Sequence, residues 1–212
     1  MNSYQTFLDS KRLTVASCGV EVPLAAIHKY LFPFQRQLVK WSLGKGRSAL
    51  FADTGLGKTA MQLEWARQLD CPTLVVAPLA VAQQTISEGI ALGMDVQYVR
   101  RPDEVTHQIA ITNYELIGHF DMAAFDAVIL DESSILKSVD GKTRSRLIDM
   151  CREVPYRLCC SATPAPNDIA EFANHAEFLG ICTRGEMLSM FFVNDDDGWR
   201  LKGHAQIDFY RW

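Results

Sequence analysis

The sequence carries no excess of basic residues: 21 Lys and Arg stand against 25 Asp and Glu, a formal charge of -4. That excludes a chain that holds nucleic acid through its overall field, so any polyanion site must be local. No apolar run is long enough to span a bilayer, "LVVAPLAVA" being far too short, and the opening "MNSYQTFLDSKRL" lacks a signal-peptide core. A cytoplasmic protein is expected. The six cysteines (Cys18, Cys71, Cys151, Cys159, Cys160, Cys182) form no CxxC pair, and the five histidines lack ligand spacing. Buried, reduced thiols are expected and a structural zinc site is not. There is neither an internal repeat nor a low-complexity tract.

What is present is 212 residues, 48% of them hydrophobic, enough to bury a full core in one ordinary domain. Short β-like runs recur: "SALFA" (Ser48 to Ala52), "TLVVAP" (Thr73 to Pro78), "VQYV" (Val96 to Val99), "IAIT" (Ile109 to Thr112), "AVILDE" (Ala127 to Glu132) and "RLCCSAT" (Arg157 to Thr163). Several are apolar at consecutive positions, as strands buried on both faces must be. Between them "KTAMQLEWARQL" sets Met61, Trp65, Ala66 and Leu69 on one helical stripe, and "FQRQLVKWSL" follows Pro33 as a second helix. The alternation predicts an α/β domain, a mostly parallel sheet with helices on both faces. At the other end, "FFVNDDDGWRLKGHAQIDFYRW" breaks at Asp195 to Gly198 and stops at Trp212 without a polar tail, which reads as a piece of a longer protein.

The chemistry concentrates in "LFADTGLGKTAMQLEWA", Leu50 to Ala66, where an apolar strand passes through a glycine-punctuated turn into a helix. Gly55 and Gly57 allow the backbone N–H groups of Thr54 to Gly57, including Leu56, to turn around phosphate oxygens. Lys58 would reach the β- and γ-phosphates, the Thr59 hydroxyl would ligate magnesium, and the helix would add its positive N-terminal end. The general pattern GxxxxGK[ST] begins here with Ala52 in place of glycine. In "AVILDESS" a buried strand ends in Asp131-Glu132, at the carboxyl edge where ligands bind in such sheets. Asp131 would hold magnesium, and Glu132 would orient or deprotonate the attacking water. "SATP", Ser161 to Pro164, again follows a strand, so that its hydroxyls would meet the acidic pair; Gln35 in "FPFQRQ" would offer an amide to adenine, with Phe32 or Phe34 packed nearby.

Taken in order, Gln35, "ADTGLGKT", "VVAPLAVAQQ", "ITNYELI", "VILDESS" and "SATP" resemble the first RecA-like domain of superfamily-two helicases and translocases. The detail is similar to the Swi/Snf-type branch and, more closely, to DEAD/DEAH-type helicases encoded by bacteriophages and prophages. The resemblance covers about Leu31 to Leu179. It implies a RecA-like P-loop NTPase fold, ATP and Mg2+ as ligands, nucleic acid (DNA ahead of RNA) as partner, and a second RecA-like domain beyond this chain. Residue by residue it implies adenine recognition by Gln35, and ATP and magnesium chemistry by Lys58, Thr59, Asp131 and Glu132. Pro78, Thr112 and Asn113 would face the nucleic-acid backbone, and Ser161, Ala162 and Thr163 would couple hydrolysis to domain movement. Lys137, Lys142, Arg144 and Arg146 are candidate phosphate contacts, with Arg100 and Arg101 weaker ones. The acidic motif departs from the family in Ser133 and Ser134, and the family's arginine finger belongs to the second domain. The boundaries expected are an extension over 1–30, the RecA-like domain over 31–182 and, over 183–212, a linker or the start of a segment leading to an absent second RecA-like domain. Two readings stay open beside the motor: another P-loop NTPase such as a small-molecule kinase, and a nucleotide-gated binding module without turnover.

Overall fold

The computed structural model describes residues 17–137, 141–195 and 198–211. Six strands form one sheet: β1 (Arg47–Phe51), β2 (Thr73–Ala77), β3 (Val96–Tyr98), β4 (Ile109–Asn113), β5 (Ala127–Asp131) and β6 (Tyr156–Ser161). Their spatial order is β1-β6-β5-β2-β4-β3, and every pairing is parallel. Consecutive apolar residues in the strands are the cause, because the pleat sends neighbours to opposite faces and both faces are covered. In β5, Ala127 and Ile129 join one core while Val128 and Leu130 join the other.

Helices α1 (Pro33–Lys45), α2 (Lys58–Leu69) and α3 (Leu79–Ala91) cover the first face through Val39, Leu43, Met61, Trp65 and Ala82. The second face is covered by 3-10 turns carrying Ile117, Phe120, Met122 and Phe125, with Leu147 of α4 (Lys142–Met150) and Phe178 of α5 (Phe172–Phe178). Glu64 of α2 is wholly buried and ties down the chain ahead of α1. Its carboxylate accepts from His28 N–H at 2.9 Å, from Arg67 at 2.7 Å and from Gln68 at 2.8 Å. Burial raises its pKa, but these donors outweigh it and the net shift is downward.

Three details differ from the sequence expectations. The strand expected to reach Glu132 ends at Asp131, because Glu132 turns into the left-handed region (φ 53°) and leaves the ladder. The stretch expected as a linker or lead-in segment carries regular structure that no local pattern showed: α6 (Arg184–Phe191), an antiparallel hairpin of β7 (Phe192–Asp195) and β8 (Gly198–Leu201), and α7 (Gln206–Arg211). Met187, Leu188, Phe191, Phe192 and Phe209 pack there on Ala173 and Ala176 of α5. Thr183 starts α6 with a reciprocal cap, donating its N–H to Glu186 and accepting from the Glu186 N–H. Finally, Cys151, Cys159 and Cys160 are buried as expected of small apolar residues, with burial pushing the Cys151 thiol up to about 12, but Cys18 is exposed. Among the described residues no helix is long and apolar enough to cross a membrane.

Trp65, fully buried where α2 meets the sheet, is the largest side chain in the first core. Trp65→Ala is expected to cost about 3–5 kcal/mol in urea unfolding with an unchanged m-value. A loss under about 1 kcal/mol would contradict this packing.

Candidate nucleotide site

The strand order brings the motif-bearing ends together. β6 lies between β1 and β5, so that Phe51 is in register with Ser161, and Asp131 with Cys160. The turn after β1, the acidic pair after β5 and the Ser-Ala-Thr turn after β6 therefore share one edge.

The cradle needs its glycines for two separate reasons. Gly55 (φ 82°) and Gly57 (φ 75°) both occupy the left-handed region, and Gly57 sits at the N-cap of α2. A Cβ on Gly57 would stand 2.4 Å from Gln35 Nε2, whereas one on Gly55 would meet nothing. Lys58 Nζ donates to the Ala52 carbonyl at 3.0 Å and to the Asp53 carbonyl at 3.4 Å, so the ammonium spans the mouth of the turn. Thr54 and Leu56 are exposed on the turn, and Thr59 is half-buried in the first turn of α2.

Asp131 is buried at the end of β5 and accepts from the Glu132 N–H at 3.1 Å. Burial raises its pKa; the Gln62 amide opposes this, the Glu132 carboxylate adds to it, and Lys58 opposes it across the edge. Gln62 is also wholly buried, and its amide completes no hydrogen bond of good geometry with Asp131 or any other group. Two oxygen donors, a hydroxyl and a carboxylate, with an unspent amide behind them, suit a hard cation such as magnesium. Glu132 holds a backbone conformation that costs on the order of 1–3 kcal/mol for a residue with a side chain. Its carboxylate accepts from Ser161 Oγ at 3.5 Å, its carbonyl from Ile135 N–H at 3.2 Å, and Tyr114 Oη donates to the Asp131 carbonyl at 2.7 Å.

The other expected residues divide. Gln35 lies against the cradle, accepting from the Phe32 N–H at 2.8 Å and donating to the Leu56 carbonyl at 2.9 Å, which leaves one hydrogen and one lone pair on the amide. Ser161 is buried at the edge and accepts from the Thr163 N–H; Ala162 is half-buried and Thr163 exposed. Pro78 caps α3 at the same edge. Thr112 is wholly buried, its hydroxyl without a hydrogen bond, and the Asn113 side chain closes its own turn by accepting from the Leu116 N–H at 3.0 Å. Neither presents its side chain at the surface. Lys137 and Lys142 are exposed beyond the acidic turn, as is Arg146, while Arg144 donates to Asn174 at 3.4 Å. Gln62 and His175 were not foreseen. Gln62 lies one turn after Lys58 on an otherwise apolar buried face, a signal that was open to view; His175 comes to the site from a distant helix and has no local signature.

No family model matches the chain. A curated relative from Xenopus tropicalis, SWI/SNF-related matrix-associated actin-dependent regulator of chromatin subfamily A-like protein 1, is 30% identical over 154 residues, 66% of this chain. The chain spans only 16% of that relative's length. Among solved structures, the Sulfolobus solfataricus SWI2/SNF2 ATPase core in complex with dsDNA superposes with a TM-score of 0.67 at 19% identity, over 81% of this chain and 41% of that one. The UvsW helicase of bacteriophage T4 superposes at 0.64 and 14% identity, over 85% of this chain and 75% of that one. The chain thus has the fold of part of the Sulfolobus SWI2/SNF2 ATPase core.

Burial makes ionised Asp131 a cost to the free fold. That cost is absent below the ordinary aspartate pKa and grows as pH rises through the raised one. Asp131→Asn is therefore expected to raise the thermal midpoint at pH 7 by about 2–4 °C without ligand. The gain should vanish near pH 3, and a lowered midpoint at pH 7 would contradict the assignment.

Proposed function

We propose that this chain is the ATP-binding half of a nucleic-acid-dependent ATPase motor that couples hydrolysis to movement on, or remodelling of, DNA. The observation that carries the reading is the meeting, at one sheet edge, of a cradle lysine, a buried aspartate and a glutamate held in a strained turn. The Xenopus relative and the Sulfolobus core support it, the latter being a DNA complex. A tie to phage-encoded helicases is supported by the match to T4 UvsW.

In this mechanism the Thr54 to Gly57 backbone wraps the phosphates, and Lys58 exchanges its two carbonyl partners for phosphate oxygens. Thr59 and Asp131 would hold magnesium, which supplies charge neutralisation at the phosphates. Glu132 accepts the proton of the attacking water, and Ser161, with Ala162 and Thr163, registers its position. Gln35 fixes the cradle and turns its remaining hydrogen-bonding capacity toward adenine. DNA would lie across Lys137, Lys142, Arg144 and Arg146, with Pro78, Thr112 and Asn113 setting the backbone of the adjoining turns. A second RecA-like domain would contribute an arginine, worth roughly 10³ to 10⁵ in rate in related NTPases. The chain by itself should bind ATP far better than it turns ATP over, in a cytoplasmic setting.

Lys58→Ala is expected to weaken ATP binding by about 100-fold or more in calorimetry, a loss of ~2.7 kcal/mol. Unchanged affinity would remove the lysine from the site. Glu132→Gln should preserve ATP affinity and abolish any DNA-stimulated turnover; persisting turnover would reassign the base. DNA binding should weaken with salt at a log-log slope of about -0.9 per neutralised phosphate on duplex, or about -0.7 on single strands. A salt-independent affinity would exclude the proposed basic surface.

A further inference from the structure

His175 of α5 is buried (3% exposed) and faces Ser133, which is fully buried, with Nε2 3.2 Å from Ser133 Oγ. Ser133 directly follows Glu132. The same imidazole meets the ring of Phe51 edge to face, centroids 5.1 Å apart at 83°. Phe51 is the last residue of β1 and directly precedes the cradle. One side chain thus touches both arms of the site, the strand that enters the cradle and the turn that carries the acidic pair.

Packing alone does not account for a histidine here. His175 Nδ1 is buried and completes no hydrogen bond of good geometry, a loss that an apolar side chain of similar size would avoid. Burial outweighs the Glu171 and Ser133 backbone groups that favour the charged ring and pushes its pKa down to about 4, so the ring is neutral at pH 7. A neutral imidazole shares one hydrogen with Ser133, and its direction depends on the tautomer. The strained Glu132 backbone persists only if its surroundings over-determine it. The Ser133–His175 pair fixes the residue after Glu132, while Ser161 holds its carboxylate. Phe172, one turn earlier on α5, packs on Phe51 at 5.6 Å and on Phe209 of α7 at 6.0 Å, extending the contact to the C-terminal hairpin unit.

We propose that His175 is a positioning residue that links the cradle, through Phe51, to the acidic turn, through Ser133, so that nucleotide in the cradle resets the orientation of Glu132. The proposal rests on the nucleotide reading above. Lying between two elements does not by itself demonstrate coupling, so the test measures the response of the ring. Nitrogen-15 spectra of the histidine rings are recorded on the full chain, with His175 assigned from its missing signals in His175→Gln. Magnesium with ADP, and with a non-hydrolysable ATP analogue, is then titrated in. The ring nitrogens of His175 are expected to shift in step with saturation. Ser133→Ala should remove that shift while nucleotide affinity stays within about threefold, and Phe51→Leu should reduce it. His175 signals that stay fixed at saturation, or that respond equally in Ser133→Ala, overturn the proposal while leaving the nucleotide site intact. Absence of nucleotide binding by the folded wild-type chain in calorimetry overturns the nucleotide reading, and this proposal with it.

Discussion

Six parallel strands must all end at the same edge of their sheet, and everything chemical in this molecule depends on that direction. The order β1-β6-β5 sets the cradle and the acidic turn two strands apart with the Ser-Ala-Thr turn between them. Lys58 and Asp131 consequently sense one another across the edge without forming an ion pair. Reversing any one of these strands would move its motif to the far side of the domain. Two cores, fed by alternate residues of the same strands, hold the directions fixed.

The same edge is where the molecule is least content with itself. Asp131 is a buried carboxylate, Glu132 has a left-handed backbone, and the Gln62 amide and His175 Nδ1 are buried without hydrogen bonds. Each departs from what stability alone would favour, and they lie close together. Elsewhere Glu64 collects three donors, and Arg157 donates to the carbonyls of Phe178 and Arg152 while its Nε stays buried without a hydrogen bond. Unspent polarity gathered at the mouth of a glycine-lined turn is what a site for a charged ligand requires before the ligand arrives.

Much of this was legible in the sequence because it is local. The apolar runs locate all six strands to within two residues, and the helix from Lys58 to Leu69 to the residue, since periodicity and a turn glycine act over a few positions. Lys58 and Thr59 were readable as the opening of that helix, and Asp131 and Ser161 as strand ends, for the same reason. What was hidden depends on long-range packing. The folded unit formed by residues 183–195 and 198–211 arises because Phe192 and Phe209 find α5, which no local period announces. His175 reaches Ser133 across 42 positions. The burial of Thr112 follows from β4 lying between β2 and β3, a strand order that spacing does not encode.

The central claim is that the carboxyl edge is a site for a magnesium-bound nucleotide, and its most direct test is the affinity of the wild-type chain for ATP by calorimetry, with magnesium and in its absence. The account expects binding that tightens by about tenfold or more when magnesium is present, because the cation relieves the buried charge of Asp131. Affinity indifferent to magnesium, or no binding by a demonstrably folded chain, would contradict it.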